Sequence, residues 1–409
     1  MTATQSAPVA EAGVLTGIRV LELTHEAGQY AGKLLANLGA DVIKLEPIAG
    51  DEVRHRPPFA LEQPGIERSL LWWQLNSGKR SVALDVHTAD GRAVLDRLIT
   101  TVDVILCSGS PRELEALGAP FSGARAVNPD LIVATITPYG WTGPKRDWPG
   151  TDVTAQAAGG IMSIAGFPDE PPMYIGGSLT AHETSIHAAV GVIMSIWGVR
   201  NGMTGQHVDV SMQQTHAATL QPDVLFWPYK KEVRRQKDWF ANTFIWPLQA
   251  LDGYVSITIL PQRMADIGKW LDRHGMADDL TDPRYLDVPT YQASTPHVFE
   301  VVKAFAATQT MDQLADEGQH AGALVFPVLD ASGVVHDKQF VARDWFVDVE
   351  QRAIGAKAKH PGAPFRLSHA GWRLDNGAPF LGEHTREVLT ELGIGLNEQI
   401  ALAGAGVIA

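Results

Sequence analysis

The sequence predicts a doubly wound α/β domain followed by a smaller α+β region. Three observations carry this. Short β-branched runs alternate with helix-patterned stretches from Gly17 to Ile136, the signature of a mostly parallel sheet covered on both faces. The alternation stops after Met212, where the pattern changes. The 409 residues, 45% hydrophobic and 19% charged, have the composition of an ordinary globular protein and enough length for about two domains.

Gly17–Thr24 is a short apolar run suited to a buried strand. Tyr30, Leu34, Leu35 and Leu38 then fall at helical spacing, Gly39 closes that helix, and Asp41–Leu45 reads as the next strand. The pattern recurs as a strand at Ser81–Val86, a helix from Ala89 to about Thr101 and a strand at Asp103–Cys107. Ser110-Pro111-Arg112-Glu113 joins an N-cap serine, a first-turn proline and a capping-box glutamate, so a helix starts there. Leu131–Ile136 supplies another strand. Sheets of this kind bind ligands beyond the carboxyl ends of their strands. That directs attention to the loops 24–29, 47–56, 108–111 and 137–152.

A long helix is expected from about His182 to Val199, with Ile186, Val190, Ile193, Met194 and Trp197 as its apolar face. A turn at 201–205 and a strand at Gln206–Met212 follow. The large domain is therefore assigned to 1–212. A linker is assigned to 213–250, holding the basic cluster Lys230, Lys231, Arg234, Arg235 and Lys237, read as a solvated face or an interface. A small domain is assigned to 251–333, with helices around Arg263–His274, Pro296–Ala307 and Met311–Glu317 and a second capping box at Thr310–Gln313. Residues 334–409, rich in Pro, Gly and short strands, return toward the large domain.

Several classes are excluded. A net charge of -13 opposes sequence-independent binding to nucleic-acid phosphates. No apolar run has the length of a membrane span, and the N-terminus lacks the layout of a signal peptide. The expected setting is cytoplasmic, with neither nucleic acid nor membrane as partner. The lone Cys107 rules out an internal disulfide and a cysteine-cluster metal site. No glycine-rich dinucleotide or P-loop motif is present.

Three local features invite chemistry. His182 and His187 flank Glu183 like a zinc-protease signature, but five residues apart they point to different helix faces, so no metal site is assigned. Cys107 ends a strand, where a buried hydrophobe is the commoner role. Asp152, after Gly150 on a loop at the ligand-binding edge, is a candidate site carboxylate or else a helix cap.

Five stretches are spread over nearly the whole chain: Gly17–Thr24 with Leu38–Glu46, Asn76–Ser81 with Leu84-Asp85, Ala155–Gly160, Thr204–Ser211, and Leu381–Thr385. In these the sequence resembles the class III CoA-transferases, the family of formyl-CoA transferase and carnitine CoA-transferase. The resemblance implies a Rossmann-like large domain made from both chain ends, a smaller domain between them, and two subunits interlocked in a ring-like dimer. It also implies transfer of CoA from an acyl-CoA to a carboxylic acid, through covalent intermediates on one aspartate. Coenzyme A is then a substrate, with no covalently bound cofactor. The resemblance further implies that Glu26, Ala27, Gly28, Leu84, His87, Ser108 and Gly109 fall at the family's CoA-contacting positions.

Counting without gaps from Pro171-Pro172 to Gly191, the aspartate position falls on Ala181. A methyl group cannot attack a thioester. Glu183 and Asp152 are the fallback carboxylates. Ala116 stands where the family has an arginine, and Ser108-Gly109 replaces an Asn-Phe pair, so the CoA site is expected to be degraded. The acid/base pair of the related α-methylacyl-CoA racemases would fall on Thr151 and Ala181, which cannot serve. The expected role is therefore the subunit lacking the aspartate in a heteromeric member, as in benzylsuccinate CoA-transferase, with a paralogue supplying the nucleophile. The alternatives are a self-sufficient enzyme using Glu183 and a non-catalytic acyl-CoA-binding or scaffold protein.

Overall fold

The computed structural model describes residues 13–167, 170–220, 223–233 and 244–409. Contacts divide the chain into two compact units. The first comprises Met1–Ile161, Tyr174–Gln221 and Arg343–Ala409, and the second Met162–Met173 and Pro222–Ala342.

In the first unit, β1 (Arg19–Leu23), β2 (Asp41–Glu46), β3 (Arg80–Ala83), β4 (Val104–Ser108), β5 (Ile132–Thr137) and β6 (His207–Ser211) form one sheet. The order is β3-β2-β1-β4-β5-β6, and every neighbour pair is parallel. Apolar residues alternate between two layers. Leu21, Ile43, Ile105 and Val133 face one core, while Val20, Val42, Val104 and Ile132 face the other. This is the two-sided burial that parallel sheets require. The covering helices include α1 (Glu26–Asn37), α2 (Leu70–Asn76), α3 (Ala89–Ile99), α4 (Pro111–Ala116), α5 (Ser122–Val127), α6 (Asp152–Gly159), α7 (Leu179–Arg200) and α8 (Met212–Thr219). The capping box expected at Ser110–Glu113 is formed.

Residues near the C-terminus close the β3 edge. Leu84 bridges Ile408, Asp85 N donates to Val407 O at 2.8 Å, and His384 N donates to Ser81 O at 2.9 Å. The stretch Asn76–Ser81 works as internal glue. Lys79 Nζ, buried, binds Glu22 Oε2 at 2.7 Å, Gln29 O at 2.8 Å and Asn76 Oδ1 at 2.8 Å. Arg80 pairs with Asp41 and Glu391. Ser81 Oγ donates to Glu46.

The apolar face expected on the long helix is corrected. In α7 the buried residues are Ala188, Ala189, Val192 and Ile196, whereas Ile186, Val190, Met194 and Trp197 are 46–70% exposed. Ile193 alone of the expected set packs against the core. The cause is size: α7 lies along α1, and alanines let two backbones approach where tryptophan and methionine would hold them apart.

The second unit holds α9 (Asp223–Lys230) and an antiparallel sheet of β7 (Phe244–Gln249), β8 (Tyr254–Ile259) and β9 (Leu324–Pro327), ordered β7-β8-β9. The helices Met264–Arg273, Val288–Ala306 and Met311–His320 accompany it, and Ile257, Trp270, Val298 and Phe305 share its core. The helix expected to begin near Pro296 begins eight residues earlier and runs through that proline. Asp287 caps it through Thr290 N at 3.0 Å, and Pro289 occupies its first turn, so the true start signals lie upstream. Of the basic cluster, Lys230 and Lys231 lie over the rings of Phe226 and Trp227; Arg234, Arg235 and Lys237 lie outside the described residues. Among the described residues no helix is long and apolar enough to cross a membrane.

Candidate active site

The strand order reverses between β1 and β4, and the carboxyl ends of β1 to β4 open there into a cleft of about 810 Å³. This is where open α/β sheets hold ligands. Leu84, His87 and Ser108 line it, together with Thr24, His25, Ile48, Leu114 and Ala116. Ser108 Oγ accepts from His25 N at 2.7 Å, fixing the first loop against the fourth strand. Glu26, Ala27, Gly28 and Gly109 are not among the lining residues. Gly28 serves packing: a Cβ there would lie 2.6 Å from the Thr24 side chain.

The cleft wall is acidic. Glu46, Asp51, Glu52, Asp85 and Glu113 line it, and no lysine or arginine does. Two of these carboxylates are paired with buried cations, Glu46 with Arg54 at 2.7 Å and Asp51 with Lys44 at 3.0 Å, which leaves Glu52, Asp85 and Glu113 as the wall's free charges beside His25 and His87. The backbone N–H of Ser110 holds the Glu113 carboxyl below its ordinary value, so that charge persists. Arg112 does not line the cleft.

Ala181 lies in the first turn of α7, buried. Both fallback carboxylates are near it, and both are engaged. Asp152 Oδ1 accepts from Thr180 N at 2.9 Å and Ala181 N at 3.3 Å, while Oδ2 accepts from Gln156 Nε2 at 2.8 Å and Tyr174 Oη at 3.0 Å. Asp152 therefore caps α7 from another helix. Glu183 sits two residues beyond Ala181, about 200° round the helix. Its Oε2 lies 2.9 Å from Nδ1 of the fully buried His216, whose Nε2 is 2.8 Å from Thr180 Oγ1. Glu26 turns toward the same helix end, where it accepts from Ser178 Oγ at 2.7 Å and pairs with Arg56.

His182 Nδ1 bonds Ser178 O and His187 Nδ1 bonds Glu183 O, each to its own helix backbone. Cys107 is fully buried on β4, and burial pushes its thiol up to about 12. It is not a nucleophile at neutral pH. His216, Tyr174 and Ser178 are residues of this region that sequence reasoning missed, because nothing in their spacing marks them.

Residues 15–385 match the model of CoA-transferase family III. The chain belongs to the class III CoA-transferases. Succinyl-CoA:(R)-benzylsuccinate CoA-transferase subunit BbsE of Thauera aromatica is 30% identical over 383 residues, covering 92% of this chain and 93% of that protein. A formyl-CoA:oxalate CoA-transferase of Streptomyces avermitilis is 30% identical over 417 residues, covering 96% and 99%. The crystal structure of a CAIB/BAIF family protein from Brucella suis superposes with a TM-score of 0.83 at 28% identity, covering 93% of this chain and all of that one. Members of this family act on CoA thioesters and hold no bound cofactor.

Proposed function

We propose that this class III CoA-transferase chain is the subunit without the nucleophilic aspartate, working in an interlocked ring with a paralogue that supplies it. The family's activity is transfer of CoA between an acyl-CoA and a carboxylic acid. The carrying observation is the state of the carboxylates around Ala181. Asp152 receives four donors as a helix cap, and Glu183 is turned to His216. A nucleophile needs a free oxygen within attacking distance of the thioester. The acidic cleft and Ala116 support the companion reading that CoA is held poorly on this chain. Two relatives carry the word subunit in their own names, the benzylsuccinate enzyme and a succinyl-CoA--L-malate CoA-transferase beta subunit of Chloroflexus aurantiacus, which fits a two-chain enzyme.

The exposed row Ile186, Val190, Met194 and Trp197 gives this chain an apolar surface to bury in such a ring. The setting proposed is the cytoplasm.

The test is CoA exchange between succinyl-CoA and carboxylic acids, measured with the chain alone and co-expressed with a homologue that retains the aspartate. The chain alone is expected to be inactive, and the pair active only while the homologue keeps its aspartate. Robust turnover by the lone chain, abolished by Glu183→Gln, refutes the two-chain reading in favour of a self-sufficient enzyme. Turnover that survives this substitution moves attention to Asp152.

A further inference from the structure

The carboxyl ends of β2, β1 and β4 are tied together along the cleft, and the first link is a buried ammonium. Lys44 lies on β2, 1% exposed, and is not itself among the lining residues. Its Nζ donates to Thr24 O, just beyond β1, and pairs with Asp51 Oδ2 at 3.0 Å in the loop after β2. Thr24 and Asp51 both line the cleft. Glu22 Oε1 lies 3.7 Å away on the far side. Burial opposes a charge at this depth, but Asp51, Glu22 and Glu46 outweigh it and hold the ammonium above its ordinary range.

The tie continues in both directions. Asp51 Oδ1 accepts from Val53 N at 2.9 Å, which sets the turn Glu52–His55, and its Oδ2 accepts from Gln29 Nε2 of α1 at 2.9 Å. On the other side, His25 follows Thr24, and its N–H is held by Ser108 Oγ at the end of β4. Asp51, Lys44, Thr24, His25 and Ser108 thus form one chain of contacts from β2 across β1 to β4, and all but Lys44 line the cleft. Replacing a buried ion pair by apolar groups of similar volume is often neutral for stability. Stability alone therefore does not account for an ammonium at this point.

We propose that Lys44 is a positioning residue for the CoA-transfer reaction: without touching the substrate, it fixes the loops after β1 and β2 at the separation in which the cleft receives CoA. This rests on the reading that CoA enters this cleft, and not on which chain supplies the nucleophile.

CoA binding is measured by calorimetry at low salt for the parent, Lys44→Met, Asp51→Asn and the double variant, each with its melting temperature. Lys44→Met strands the Asp51 charge, although Asp51 keeps Val53 N and Gln29, and Glu22 keeps Lys79. It should melt lower and bind CoA about tenfold more weakly, the scale on which ordering a loose segment costs affinity. Adding Asp51→Asn removes the stranded charge, so the melting temperature recovers while CoA binding stays weak, because Thr24 is still untied. A merely structural role moves both together. Affinity that returns with the melting temperature, or never falls, overturns the proposal. Where Lys44→Met alone does not fold, the double variant against the parent carries the same comparison. A parent chain that takes up no CoA refutes the reading of the cleft. The clamp is then judged by hydrogen exchange at the His25 amide, which should quicken in the double variant; equal rates refute the clamp itself.

Discussion

Asp152 and Ala181 are joined through the backbone: the Asp152 Oδ1 accepts the Ala181 amide at 3.3 Å, alongside the Thr180 amide at 2.9 Å. The carboxylate nearest the start of α7 is therefore part of the scaffold. It neutralises the free amides of a 22-residue helix from outside that helix.

Asp152→Ala removes this cap and leaves Tyr174 Oη and Gln156 Nε2 without their acceptor. The expected loss is about 1–2 kcal/mol, read from urea unfolding. Asp152→Asn keeps an acceptor oxygen and should lose less. An unchanged midpoint for the alanine variant contradicts the cap.

Ala181→Asp places a carboxylate in the first turn of α7, where the helix dipole favours an anion by about 0.3–1 kcal/mol. Asp152 beside it offsets part of that gain. The variant should fold with nearly unchanged stability yet remain close to inactive alone, since misplacement of a reacting group costs on the order of 100-fold. Incubation with an acyl-CoA and hydroxylamine, followed by mass spectrometry, should find little hydroxamate at residue 181. Efficient labelling there contradicts a degraded cleft.

Ala116→Arg should strengthen CoA binding about tenfold, the worth of one charge-assisted phosphate contact. Calorimetry with CoA measures it, and the gain should shrink as salt rises. No gain at low salt indicates that CoA does not occupy this cleft.

Trp197→Lys together with Met194→Glu should convert the assembled protein to monomers while leaving its circular dichroism intact, because both side chains are turned away from this chain's own core. Light scattering reports the outcome. A wild-type chain that stays monomeric at micromolar concentration contradicts the ring.

Cys107 should resist alkylation at pH 8 in the native protein and react once unfolded. Its folded thiol stands at about 12, above an unfolded value of about 8.5. Its neutral burial therefore stabilises fully below the unfolded value, and that contribution falls away as pH climbs toward the folded one. Native labelling at pH 8 refutes the burial.

The parallel sheet was legible because strands such as Val104–Ser108 and Ile132–Thr137 are wholly buried and mostly apolar, and the helices after β3 and β4 are capped by Thr88 and Ser110. The face of α7 was not. A helix that is apolar all round gives periodicity nothing to choose between, and the decision fell to side-chain size against α1. The environment of position 181 was half legible. Its methyl stands in the sequence, but the capture of Asp152 by Thr180, Tyr174 and Gln156 joins residues 152 to 180 through turns that no local pattern foretells.

The bridge between Leu84 and Ile408 has a consequence for how the chain is made. Strand β3, at one border of the sheet, is laid down early in synthesis, yet its open side is covered only when His384 and Thr385, and last of all Val407 and Ile408, have emerged. Until then a nascent chain carries an unsealed β3 border, the feature that invites wrong pairing. A contact spanning more than three hundred residues also closes slowly. Removing the last three residues should leave the Asp85 amide open to hydrogen exchange, while the Ser81 and Ala83 amides, held by His384 and Thr385, stay protected along with β4 and β5. Protection that persists at Asp85 would show that the border guards itself.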